Sequence, residues 1–418
     1  MAKLELLAPA GNREKLEVAI AYGADAVYFG GRDFSLRTRA GNFSAAEIPD
    51  AIAYCRERGV RAYLTLNLFA GNHDLSPLTT FLQELRSLPP DALIVADPGV
   101  VSLCRELLPA VPLHLSTQSN TLNYRAASFW SRQGISRINL ARELSRTEIA
   151  EIIHRVPEME FEVFVHGAMC MAYSGRCLLS AVLTGRHANR GDCAQPCRWS
   201  YSLVEETRPG ELMELEEDRR GSYIFNSRDL CLLERLPELQ AAGVRAVKIE
   251  GRMKSAYYTA VVTRVYRQAI DRLAQERDFT PSAVKAWKNE LTRVSHRRYT
   301  EGFIDGCSSA RGAELQYHED AAYLRHYRFV ALVERVLEYD PVADCSRVEL
   351  QVKDLLESGS EIECITPQMD DFTTMIVDLR DFQGEKRERM HPGTRALALC
   401  RGRLRPFHIL RQPRPAAG

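Results

Sequence analysis

No stretch of this 418-residue sequence approaches the ~18 consecutive apolar residues of a membrane-spanning helix, so no transmembrane anchor is expected. The opening MAKLELLAPAG lacks the apolar run of a secretory signal, and the expected location is the cytoplasm. Net charge is also missing. The 55 Lys and Arg balance 55 Asp and Glu, so overall charge neither invites nor excludes nucleic acid. There is no H-E-x-x-H zinc-hydrolase pair and no G-x-S-x-G nucleophile elbow. The eleven cysteines are an odd number, which argues against a disulfide framework.

Four of those cysteines are the most informative residues present. Cys170, Cys177, Cys193 and Cys197 are spaced C-x6-C-x15-C-x3-C. Thiolates grouped this closely in a cytosolic chain hold soft metals. Zinc knuckles mostly use two-residue gaps, which neither close pair has. Cluster ligation tolerates wider spacing, so an iron–sulfur cluster is favoured over zinc, with reactive or structural thiols third. No third cysteine completes a C-x3-C-x2-C run, which disfavours radical S-adenosylmethionine chemistry. The remaining cysteines sit mostly in apolar runs and read as small buried hydrophobes.

The first 250 or so residues repeat one unit: a short apolar strand, a turn and an amphipathic helix. The strands are read at residues 4–9, 26–30, 62–67, 92–97, 113–117, 137–141, 161–167 and 246–251. Near-continuous apolar strands fit parallel pairing with both faces covered. The expected fold is α/β, a TIM-like (β/α)8 barrel occupying residues 1–308, with an open doubly wound sheet as the alternative. A long insertion at about 167–222, after the seventh strand, carries the cysteines, an acidic stretch and a hairpin. Helices are expected at 254–275 and 281–294. From Tyr327 to the end, short alternating runs separated by Gly, Pro and Asp read as a small β-barrel domain, 327–418.

A barrel places its chemistry at the C-terminal ends of its strands. Those ends supply Asn67, Gln118, Arg142, Glu143, His166 and Glu250, with Arg37, Arg39, Arg252 and Lys254 close behind. His166, Glu143 and Glu250 are the candidates for proton transfer. The arginines, Lys254, Asn67, Gln118 and Asn226 are candidates for holding a carboxylate or a base edge. Asp97 before Pro98-Gly99 reads as a turn residue, and His114 as a core histidine. From Glu385 onward there are nine basic and two acidic residues. That tail, with Arg401, Arg403, Arg405, Arg411 and Arg414, is either a solvated, partly disordered terminus or a phosphate-binding arm. His296-Arg-Arg-Tyr299 is a second basic candidate for RNA.

The blocks ELLAPAGN, GADAVYFGG, SLRTRAGNF, HLSTQSN, ARELS, FNSRDL and KIEGRMKSAYY resemble the collagenase-like U32 peptidase family. So does the signature from Glu162 through Cys170, Cys177 and Ser180. The resemblance spans nearly the whole chain. It implies a [4Fe–4S] cluster on Cys170, Cys177, Cys193 and Cys197. The C-terminal β-domain and the unsplit cysteine quartet resemble the family's tRNA-modifying branch. That implies 5-hydroxylation of wobble uridine in tRNA, without molecular oxygen and dependent on the dicarboxylate prephenate. Peptidase activity is doubtful on chemical grounds. A cysteine nucleophile needs a base and a free thiolate, and the best thiols are the expected cluster ligands.

Overall fold

The computed structural model describes residues 3–35, 41–169, 228–306 and 324–414, with short pieces between 179 and 222. The barrel strands are β1 (Glu5–Pro9), β2 (Ala26–Gly30), β3 (Arg61–Leu66), β4 (Ala92–Val95), β5 (Leu113–Leu115), β6 (Arg137–Asn139), β7 (Glu160–Ala168) and β9 (Ala246–Ile249). All pair in parallel, and β9 pairs with both β1 and β7, closing the ring. The eight expected strands are therefore present and the doubly wound alternative is excluded.

Helices α1 (Arg13–Ala21), α2 (Glu47–Glu57), α3 (Asn72–Glu84), α4 (Pro98–Leu107), α5 (Tyr124–Arg132) and α6 (Arg146–Arg155) cover the outside. Their starts are written locally: Asn12, Asp97 and Asn123 each accept a backbone N–H three residues on. Asp97 is thus a cap, as its Pro-Gly neighbours imply. Ser145 and Glu148 form a reciprocal capping box.

Two short strands escaped the sequence reading. β8 (Asp229–Cys231) runs antiparallel to the end of β7, and β10 (Tyr299–Thr300) pairs with β8. At three and two residues they carry no periodicity to read. In the insertion lie α7 (Leu179–Thr184) and two two-residue ladders, the expected hairpin region. After α8 (Leu236–Ala241) and β9, helix α9 (Ala256–Ala274) is buried on most of its faces, and α10 (Pro281–Leu291) packs beside it.

The second domain is a closed antiparallel barrel of six strands. They are β11 (Tyr327–Asp340), β12 (Cys345–Val352), β13 (Glu361–Ile365), β14 (Phe372–Arg380), β15 (Arg395–Arg401) and β16 (Ile409–Pro413). Val348, Leu350, Ile362, Ile376 and Ala398 fill its interior. The basic C-terminal stretch is built into β15 and β16 rather than trailing free, because its apolar residues alternate inward.

Arg411 is the clearest correction to the arm reading. It is fully buried where the two barrels meet, paired with Glu290 and, at 2.8 Å, with Glu363. Arg264 of α9, equally buried, binds Asp371 at 2.7 Å and shares Glu290. Burial would raise the Glu290 carboxyl, but Arg411 and Arg264 hold it down to about 2. Tyr22 of α1 adds a bond from its hydroxyl to the Phe407 carbonyl, 3.0 Å. Among the described residues no helix is long and apolar enough to cross a membrane.

Candidate active site

The C-terminal ends of the strands do bring polar side chains together. Arg142, one turn past β6, donates to the Ala168 carbonyl at 2.9 Å and lies 4.0 Å over the Phe164 ring. Its Nη2 stands 4.0 Å from Glu250 Oε2. Both side chains keep some surface, 10% and 16%. Glu250 is held by its backbone. Its N–H donates to the His166 carbonyl, and its own carbonyl accepts from the Tyr258 hydroxyl, both at 2.9 Å. Gly167 makes this approach possible: its φ is +106°, and a Cβ there would lie 2.5 Å from the Glu250 oxygen.

Arg252 lies deeper, 3% exposed. Its Nη1 donates to Thr65 Oγ1 at 3.2 Å and Ser35 Oγ at 3.4 Å. Gly30 leaves room for this group, since a Cβ there would stand 2.5 Å from Nη1. Asn67 is half-buried at the end of β3, and Gln118 is buried in the turn after β5. Glu143 is half-buried beside Arg142, and burial raises its carboxyl above the usual range. Lys254 turns aside, donating to the Ser295 carbonyl at 3.1 Å.

His166 is 1% exposed and packs against Tyr258, Tyr266 and Tyr299. The Tyr266 hydroxyl donates to the Val165 carbonyl at 2.8 Å. Its oxygen, 3.4 Å from Nδ1, therefore takes the imidazole hydrogen. Nε2 is left with a bare lone pair and no partner. Burial pushes the ring down to about 3, with Asp229 opposing. A neutral imidazole without accessible surface shapes the wall rather than meeting a substrate. His114 is buried edge-on to Tyr63, as expected of a core histidine.

The basic run at 296–299 is a second correction. His296 and Arg297 are buried, with Arg297 paired to Asp229 at 2.8 Å and His296 stacked on Tyr299. These residues tie β8 to β10 rather than forming a phosphate surface.

Arg37, Arg39, Asn226 and the four cysteines Cys170, Cys177, Cys193 and Cys197 lie outside the described residues. Ala194 N–H donates to Ser180 Oγ at 2.9 Å. Elsewhere, Cys55, Cys104 and Cys400 are buried, each thiol pushed up to about 12 by desolvation, and are poor ligands. Among the described residues no other group of three metal-binding side chains occurs.

Three inward residues escaped the sequence reading: Asn139, Glu162 and Lys248. Each is a polar residue inside an apolar strand, in RINLA, FEVFVHG and AVKIEG. That interruption was the available signal.

A closed (β/α)8 barrel with a charged mouth, joined through buried ion pairs to a small antiparallel barrel, defines a two-barrel α/β protein of the enzyme-bearing class. The chain belongs to peptidase family U32: residues 11–314 match the family model and 325–411 match the model of its C-terminal domain. It is 40% identical to "tRNA hydroxylation protein P1" of Bacillus subtilis, over 92% of this chain and 88% of that protein. It is 37% identical to "tRNA hydroxylation protein P" of Escherichia coli, over 88% and 87%. It is also 34% identical to a "Collagenase" of Porphyromonas gingivalis, over 72% and 73%.

Proposed function

We propose that this protein hydroxylates wobble uridine of tRNA at C5, without molecular oxygen and using prephenate as co-substrate. The observation that carries the reading is the 40% identity to a tRNA hydroxylation protein, extending over 92% of the chain. Cys170, Cys177, Cys193 and Cys197 would hold a [4Fe–4S] cluster. Bound there, it supplies electron transfer or, at an iron left without a cysteine, Lewis acidity.

The chain's own residues have separable roles in this reading. Arg142 offers the positive charge of its guanidinium, packed on the Phe164 ring, to a carboxylate of prephenate. Glu250 anchors that guanidinium at 4.0 Å. Glu143, whose carboxyl burial raises above the usual range, is the candidate for proton exchange beside Arg142. Arg401, Arg403 and Arg405 are exposed, Arg403 lies 5.4 Å over the Tyr339 ring, and none makes an ion pair among the described residues. They offer a phosphate-and-stacking surface on the second barrel.

The test is nucleoside mass spectrometry of tRNA from a strain lacking the gene, complemented with wild type or Cys170→Ala. Loss of 5-hydroxyuridine derivatives, restored by wild type alone, supports a cluster-dependent hydroxylase. An unchanged profile refutes the tRNA reading. The resemblance to a collagenase keeps peptide hydrolysis as a second reading. It predicts hydrolysis that survives iron removal and is lost in His166→Ala. The burial of His166 counts against it.

A further inference from the structure

Eight-stranded barrels are usually filled by layers of branched apolar side chains. This barrel carries charge inside. β6, β7 and β9 place Asn139, Glu162 and Lys248 there, 3%, 2% and 4% exposed. Lys248 Nζ and Asn139 Nδ2 both donate to Glu162 Oε1, at 2.9 and 2.8 Å. Glu162 Oε2 and Asn139 Oδ1 have no hydrogen-bond partner. Arg137 Nη1 stands 3.8 Å from Oε2, beyond hydrogen-bond reach, and is committed to Glu5 at 2.6 Å. Nearby, His114 Nδ1 is also buried and unpaired.

A buried carboxylate oxygen without a donor forfeits more than an ordinary hydrogen bond contributes. A buried ion pair is also no better for stability than apolar packing of the same volume. Stability alone therefore does not account for the trio. Two bare acceptors on hydrogen-bonded neighbours are the pattern that a bridging water, with its two donors, satisfies.

We propose that Glu162 Oε2 and Asn139 Oδ1 bind a water beneath the mouth, and that Glu162 and Lys248 are positioning residues that set the electrostatics of the Arg142–Glu250 pair above. The link is short. Lys248 Nζ and the Arg142 guanidinium lie 5.4 and 4.0 Å from the centroid of the same Phe164 ring. Lys248 is two residues before Glu250 in the chain. Among the described residues, Tyr258 and His166 also meet Glu250 through backbone bonds, with Arg252 and Lys254 following in sequence.

The proposal rests on the hydroxylase reading of the mouth, so its test has two arms. The first needs no activity. A crystal structure that resolves ordered water is expected to show one bonded to Glu162 and Asn139. A water-free contact there overturns the proposal. The second is the pH–rate profile of tRNA hydroxylation by Lys248→Met and Glu162→Gln. Removing the cation under the mouth moves the acid limb upward by about one pH unit. If Lys248→Met does not fold, Glu162→Gln alone decides: it removes the anion and leaves Lys248 charged, so its acid limb moves downward. Profiles that superimpose on wild type, with only the melting temperature lowered, make the pair structural and overturn the positioning role. A wild-type protein that hydroxylates no tRNA sinks the functional reading, while the water arm still decides the site.

Discussion

Replacing His166 with phenylalanine should make the protein less sensitive to mild acid. The folded-state imidazole is pushed down to about 3, chiefly by burial among Tyr258, Tyr266 and Tyr299. In the unfolded chain it titrates at the ordinary value of roughly 6.5. As pH falls below that value the unfolded chain takes up a proton that the folded protein refuses. The contribution is therefore fully present above the unfolded value and is lost progressively as pH falls toward 3. With this window, moving from about pH 7.5 to about pH 5.5 removes about 1 kcal/mol through this residue alone. Phenylalanine keeps the ring packing, removes the bare Nε2, and has no proton to gain. His114 and His408, also depressed by burial, remain in both proteins and cancel in the comparison. Equilibrium urea unfolding of wild type and variant at the two pH values gives the difference directly. The variant should gain about 1 kcal/mol relative to wild type on acidification. An equal stability difference at both pH values would refute the argument that His166 is neutral because it is buried.

Two further outcomes follow from the second barrel. Arg411→Met removes the fully buried cation from Glu290 and Glu363, which keep Arg264 and Arg293, and should weaken the junction by about 2–3 kcal/mol. Calorimetry would then show the small barrel melting apart from the large one, and a single transition at the wild-type temperature would contradict the assignment. Changing Arg401, Arg403 and Arg405 together to alanine should lower the slope of log affinity for tRNA against log salt by about 2. Fluorescence anisotropy over a salt series measures it, and an unaltered slope removes these arginines from the RNA surface.

The eight strands and the second barrel were legible because each leaves a one-dimensional trace: apolar runs of fixed length and alternation. The strand ends also named Arg142 and Glu250, since a barrel's topology converts position after a strand into position at the mouth. What the sequence by itself could not determine is which charges meet. His166 looked like a mouth residue by register, yet α9 and β10 surround it with Tyr258, Tyr266 and Tyr299. Arg411 and Arg297 looked like free basic residues beside Arg401 and Arg298, and only packing between distant elements gave them Glu290 and Asp229. The same holds for Glu162 and Lys248, 86 positions apart and bonded because β7 and β9 close the ring. Local sequence determines elements because helix and strand periodicity are properties of neighbouring residues. The pairing of buried charges is decided by which strands and helices the closed barrels bring together, and that is a property of the tertiary structure alone.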